Sequence, residues 1–199
     1  MSKLRTMVIM GSTRAGRNGD RVGKFFKQIA QARTAVQLDY VDLLDENLPL
    51  MDNAIAYTPA DKVTPQLQGL AKRVAEAEAF VLISPEYNHS MSPALVNFFE
   101  SLPLTSYGYK PAAIAVYSMG PFGGVRAAMQ MRALTGELGC TAINKLFAAP
   151  VVHTSLDVDG KPVGDNGKLL VNLANQQFDQ LEWVAEALKN HRAVKPLPK

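Results

Sequence analysis

A chain of 199 residues, 47% hydrophobic and 20% charged, has the length and composition of one globular domain with room for a continuous core. No apolar run approaches the roughly 18 residues that a membrane-spanning helix needs, and the single cysteine, Cys140, excludes an internal disulfide framework and a cysteine-cluster metal site. The net charge of +3, with no basic run interleaved with aromatics, argues against a nucleic-acid surface; the first apolar run is too short for a signal-peptide core, so a cytoplasmic address is expected.

Met7-Val8-Ile9-Met10 is a short apolar run of the kind buried on both faces of a sheet. A turn rich in Gly, Ser, Thr and Arg follows, GSTRAGRNG from Gly11 to Gly19. Residues 20–32 then place Val22, Phe25, Phe26 and Ile29 on one face of a helix. Residues 35–43 alternate as a second strand, and 44–64, with Pro49 and Pro59, form a long irregular loop of the sort that is usually functional. Thr64 and Pro65 open a helix over 65–78. Residues 79–84 are a third strand ending in Pro85-Glu86-Tyr87-Asn88-His89-Ser90, and Ser92-Pro93 starts the next helix. A fourth strand over 111–117 runs into Ser118-Met119-Gly120-Pro121-Phe122-Gly123-Gly124 and a helix over 125–138. Residues 140–143, together with 146–148, are assigned to a fifth strand, 153–166 to a polar turn or hairpin, and 168–190 to a last helix. The single domain is placed at 1–191, with a frayed tail over 192–199.

Short apolar strands alternating with amphipathic helices specify a doubly wound parallel sheet with helices on both faces. In such a sheet all strands end along one edge, where ligands bind. The turns after strands one, three and four therefore converge on one crevice. A strand-to-helix turn leaves N–H groups unpaired, and with Ser, Thr and Arg nearby it suits a phosphate, although an ordinary loop has the same composition. Tyr87 in a Pro-shaped turn suits the edge of a planar heterocycle, and glycines in the third turn let the backbone approach a flat ligand. A phosphate with a planar ring at a distance describes a mononucleotide. There is no G-x-S-x-G nucleophile turn, no G-x-G-x-x-G and no Walker loop.

GSTRAGR leading into a helix, SPEYNHSMSPALVNFFESL and YSMGPFGG together resemble the NADPH-dependent FMN reductase family of flavodoxin-like quinone, azo-dye and chromate reductases. The likeness runs from the first strand to about Pro150. It implies a flavodoxin-like five-stranded sheet of order 2-1-3-4-5 carrying noncovalent FMN, with NADPH or NADH as hydride donor and a quinone, azo compound, flavin or oxidised metal ion as acceptor. By this resemblance Ser12, Arg14, Arg17, Asn18 and Gly19 hold the phosphate. Pro85, Glu86, Tyr87 and Asn88 line the ring, with Ser118, Gly120, Gly123 and Gly124 behind or beside it. No residue is assigned a catalytic role and no metal is expected, because the cofactor carries the chemistry. The resemblance also implies a homodimer or homotetramer, and Phe98, Phe99 and Leu102 are expected to contribute to its interface. Where family members carry Leu-Lys-Asn-x-x-Asp, this chain has Leu95-Val96-Asn97-Phe98-Phe99-Glu100. A flavodoxin-type electron carrier or a flavin-based redox sensor is the alternative; carriers are typically acidic, and this chain is basic. Glu86 has two roles open to it: a carboxylate that tethers a loop, and a backbone N–H that meets the ring. His89 is read as a solvated or loop-packing histidine, and Cys140 as an inert core thiol.

Overall fold

The structure is a computed structural model that describes residues 3–197. Its sheet is parallel and runs β2 (Val36–Asp42), β1 (Leu4–Met10), β3 (Ala79–Pro85), β4 (Pro111–Tyr117) and β5 (Thr141–Ala142), with β6 (Phe147–Ala149) also on β4. Every residue of β3 and β4 is buried, because both faces are covered. Alternate side chains of β1 enter two separate cores. Val8 and Met10 pack under α1 (Gly19–Gln31) and α7 (Gly164–Val194), with Phe25, Phe26, Phe147 and Phe178. Met7 and Ile9 pack under α3 (Pro65–Glu76), α4 (Pro93–Ser101) and α5 (Val125–Glu137).

Register brings the strand ends level. Met10 lies beside Asp42 and Ile83, Pro85 beside Tyr117, and Tyr117 beside Ala149. The order expected from the sequence holds, but the fifth strand is split. β5 pairs with Pro111 and Ala112 and β6 with Ala115 to Tyr117. Between them the Ile114 carbonyl takes its hydrogen bond from Gln177 of α7 at 2.8 Å, which also reaches the Lys145 carbonyl at 3.0 Å. A buried side-chain amide thus stands in for the ladder where the edge bulges away.

The last helix is longer than its apolar spacing indicates and carries through Val194, so residues 192–194 are not a frayed tail. Lys189 pairs with Glu78 at 2.8 Å and Arg192 donates to the Tyr109 carbonyl at 2.7 Å, which fastens that end. The 44–64 segment is partly ordered, with α2 (Leu43–Glu46) and 3-10 turns at Ile55–Tyr57 and Ala60–Lys62. Asn97 pins it, accepting from the Met51 N–H at 2.8 Å and donating to the Pro49 carbonyl at 2.9 Å. The expected interface role of Phe98, Phe99 and Leu102 is not supported: all three are buried within this chain, where the two Phe rings pack at 5.4 Å and Phe99 meets Tyr107. After α6 (Val152–Ser155), the polar excursion closes through a bridge between Leu156 and Pro162 and is clasped to α1 by Arg21, Lys24 and Gln28, each donating to a backbone carbonyl. No helix among the described residues is long and apolar enough to cross a membrane.

Candidate active site

The turn after β1 is built around a charge pair. Arg17 donates to both carboxylate oxygens of Asp42 at 2.8 and 2.6 Å, to Asp20 at 2.8 Å, and to the Ser12 carbonyl. Its side chain is 6% exposed and that of Asp42 12%. Against the cost of burial, the two carboxylates hold the guanidinium proton more tightly than usual. The Arg17 N–H closes a turn onto the Arg14 carbonyl, with Gly16 at φ +66° where an L side chain would be strained. Asn18 stands at the N-cap of α1 without a side-chain capping bond, and the first-turn N–H groups of Gly19 and Asp20 have no preceding carbonyl to bond. Gly19 is buried, and a Cβ there would sit 2.6 Å from the Tyr117 hydroxyl.

The turn after β3 is a two-residue hairpin. Tyr87 and Ser90 exchange backbone hydrogen bonds at 2.9 Å, and Asn88 and His89 take φ +50° and +66° between them. Ser12 Oγ and the Tyr87 hydroxyl are 2.8 Å apart, which ties this turn to the first. The Glu86 N–H donates to the Tyr117 carbonyl at 3.1 Å and is not available to a ring. Its carboxylate accepts from the Arg126 and Ala127 N–H groups at 3.0 and 3.3 Å, capping α5 from another loop. Gln130 of α5 reinforces the connection by donating to the His89 carbonyl at 3.3 Å.

In the turn after β4, Ser118 and Gly120 face the crevice. Gly123 and Gly124 do not: both are buried at positive φ, and a Cβ at Gly124 would stand 2.9 Å from that of Val116. Their freedom lets the chain double back into α5, and neither glycine lines the cleft.

A cleft of about 580 Å³ opens between the three turns. Of the residues expected at the site, Arg14, Arg17, Asn18, Pro85, Glu86, Tyr87, Ser118 and Gly120 line it. Ser12 and Gly19 are buried just beneath, and Asn88 faces an adjoining recess of about 450 Å³ shared with Arg14 and Tyr87. Phe122, for which the sequence leaves open a place over the flavin or in a surface groove, lines the cleft as well, and lining residues that sequence reasoning missed include His89, Tyr117, Met119, Arg126 and Val152. Tyr117 ends the apolar run of β4 and Arg126 follows Gly-Gly at the start of a helix; both positions abut the sheet edge, and that was a usable signal. The Tyr117 hydroxyl is buried beneath Gly19, close to Ser12, and burial pushes its pKa well above the usual phenol range.

The model of the NADPH-dependent FMN reductase family matches residues 4–154. The chain belongs to that family. It is 28% identical over 171 residues to a quinone reductase of Escherichia coli K12, covering 84% of this chain and 88% of that one. It is 30% identical over 153 residues to an NADPH azoreductase of Bacillus sp. OY1-2, covering 77% and 82%. Among solved structures, the NAD(P)H:(acceptor) oxidoreductase FerB of Paracoccus denitrificans superposes with a TM-score of 0.73 at 21% identity, over 90% of this chain and 98% of that one. An FMN-dependent NADH-azoreductase of Bacillus anthracis in complex with FMN gives 0.54 at 14% identity, over 94% and 98%. As a member of the FMN reductase family this chain is an FMN-dependent NAD(P)H oxidoreductase, and its cleft fits the cofactor. Unpaired N–H groups of α1 and the Arg14 side chain stand at one end of it, as a phosphate requires.

Proposed function

We propose that this FMN reductase oxidises NADPH and reduces a quinone or an azo compound in the cleft at the ends of β1, β3 and β4. The supporting observation is the cleft itself, lined together by the turns after β1, β3 and β4, with Arg14 and the open N-terminus of α1 at one end. FMN, when bound, supplies the chemistry by taking hydride from the nicotinamide and returning two electrons to the acceptor. Arg14, Asn18 and the first-turn N–H groups of α1 would hold its phosphate. Arg17, spent on Asp42 and Asp20, positions that turn instead of contacting the ligand. Pro85, Tyr87, Ser118 and Gly120 would hold the ring. Ser12 fixes the Tyr87 hydroxyl, and Arg14 lies 5.9 Å over the Tyr87 ring, so the walls at the two ends of the cleft are mechanically joined. Glu86 sets the spacing between the β3 turn and α5.

A cytoplasmic homodimer or homotetramer is the proposed assembly. Met119 at the cleft and Met129 on α5, 62% and 54% exposed, are apolar surface for a neighbouring copy. Sedimentation velocity at micromolar concentration tests the assembly. For the function, the purified protein is mixed with FMN and freed of excess, and its visible spectrum is followed anaerobically on adding NADPH and then a benzoquinone or an azo dye. Bleaching by NADPH and recovery with the acceptor is the expected result. Bound flavin that neither NADPH nor NADH bleaches would make the protein a carrier or sensor, and failure to retain flavin would refute the cleft assignment.

A further inference from the structure

Three arginines line the cleft, and their hydrogen-bonding capacity is unequal. Arg17 commits four hydrogen bonds to Asp42, Asp20 and the Ser12 carbonyl. The guanidinium groups of Arg14 and Arg126 donate none among the described residues; each instead lies over a ring, Tyr87 and Phe122 respectively. The two are far apart in the sheet order. Arg14 belongs to the turn after β1 and Arg126 to the first turn of α5 after β4, with β3 and its turn between them.

Arg126 is held ready. Its Cζ is 4.6 Å from the Phe122 ring centroid, and one Nη forms a loose ion pair with a Glu86 oxygen at 3.5 Å, which orients the group. Side-chain exposure is 40%, and Phe122 beside it is 60% exposed. The helix end itself is not a phosphate site: the Val125 N–H goes to the Phe122 carbonyl and the next two go to Glu86. The Arg126 side chain keeps donors to offer at this end of the cleft.

The reaction brings two anionic ligands, FMN and the dinucleotide, and two guanidinium groups of the cleft make no hydrogen bond among the described residues: Arg14, and Arg126, which is paired only loosely with Glu86. We propose that Arg126 recognises the 2′-phosphate of NADPH, with the exposed face of Phe122 receiving the adenine. A phosphate monoester is close to a dianion at neutral pH and matches the planar fork of a guanidinium better than a singly charged pyrophosphate oxygen does. In NADPH the adenine is attached to the ribose that bears this phosphate, so one arginine stacked on one open ring presents both complementary surfaces. This assignment rests on the flavin-reductase function above and makes Arg126 the residue that separates NADPH from NADH.

The test compares wild type with Arg126→Ala, Arg126→Lys and Phe122→Leu, using calorimetric binding of adenosine 2′,5′-bisphosphate and of adenosine 5′-monophosphate, and kcat/KM of the FMN-loaded proteins with NADPH and NADH. Arg126→Ala should weaken the bisphosphate about tenfold or more, the scale of one charge-assisted contact, and lower the NADPH-to-NADH ratio of kcat/KM by the same factor. Arg126→Lys, which keeps the charge and loses the fork, should fall between. Phe122→Leu should weaken both nucleotides alike. Equal loss for the two nucleotides in Arg126→Ala would place the contact on their shared part and overturn the proposal, as would an unchanged ratio or a change confined to the KM of anionic acceptors. The nucleotide titration needs no flavin. A protein that discriminates the two nucleotides through Arg126 yet takes up no FMN would therefore refute the flavin function while supporting this assignment.

Discussion

Replacing Glu86 by alanine removes the carboxylate that accepts the first free N–H groups of α5 at 3.0 and 3.3 Å. A side-chain cap at a helix N-terminus contributes about 1 kcal/mol, and up to about 2 in favourable sites. The Glu86 side chain is 10% exposed, which favours the upper part of that range, whereas the Arg126 contact at 3.5 Å on a 40% exposed guanidinium adds little. A loss of about 1.5 kcal/mol should lower Tm by about 3–6 °C for a domain of this size. The same carboxylate joins the β3 turn to the α5 end, so its loss should also raise the FMN dissociation constant, by about three- to tenfold if roughly 1 kcal/mol of ordering is shifted to the binding step. Differential scanning calorimetry of the flavin-free protein gives the first quantity and fluorescence titration with FMN the second. Glu86→Gln keeps an acceptor oxygen and should recover more than half of both effects. A Glu86→Ala protein that melts within about 1 °C of wild type and binds FMN equally well would refute the capping argument.

Tyr117→Phe should leave the flavin-free protein within about 1 kcal/mol of wild type, because the buried hydroxyl makes no close hydrogen bond to offset its desolvation; a loss above about 2 kcal/mol in urea melts would refute this. Arg17→Ala strands Asp42, 12% exposed, and should cost about 3 kcal/mol in urea unfolding, with Arg17→Lys recovering only part because it lacks the fork. Lys110 has its pKa lowered to about 8 by burial and by Arg192 nearby, against about 10.4 in an unfolded chain. Below pH 8 both states hold the proton and the cost of burying the ammonium is fully present; between about 8 and 10.4 the unfolded chain binds more protons, so stability rises with pH. Urea unfolding at about pH 7.5 and 9.5 should show this rise in wild type and a flatter profile in Lys110→Met; equal slopes would refute it.

Local chemistry along the chain was enough to specify the sheet and the place of its ligand edge. Apolar runs such as residues 79–84 and 111–117 can be covered only by helices on both faces, and the turns that end them are rich in residues that strands and helices reject. Eight of the thirteen residues expected at the site line the cleft, because strand ends in a parallel sheet cannot avoid converging there. What the chain does not reveal locally is how a side chain is spent. Gly123 and Gly124 are spent on packing against β6 and β4, and Glu86 on a helix forty residues away. Phe98 and Phe99 fill a core that only the folded sheet defines. The split of the fifth strand is likewise decided by Gln177, which reaches the Ile114 carbonyl from the far end of the sequence. Sequence by itself determined the layers and the edge at which the flavin is to sit, since hydrophobic period and turn composition are local properties. Tertiary structure alone decided that Arg17 is a brace, that Arg14 keeps its donors and that Arg126 is only loosely paired with Glu86, because a charge is free or committed only in relation to partners that the fold brings from elsewhere in the chain.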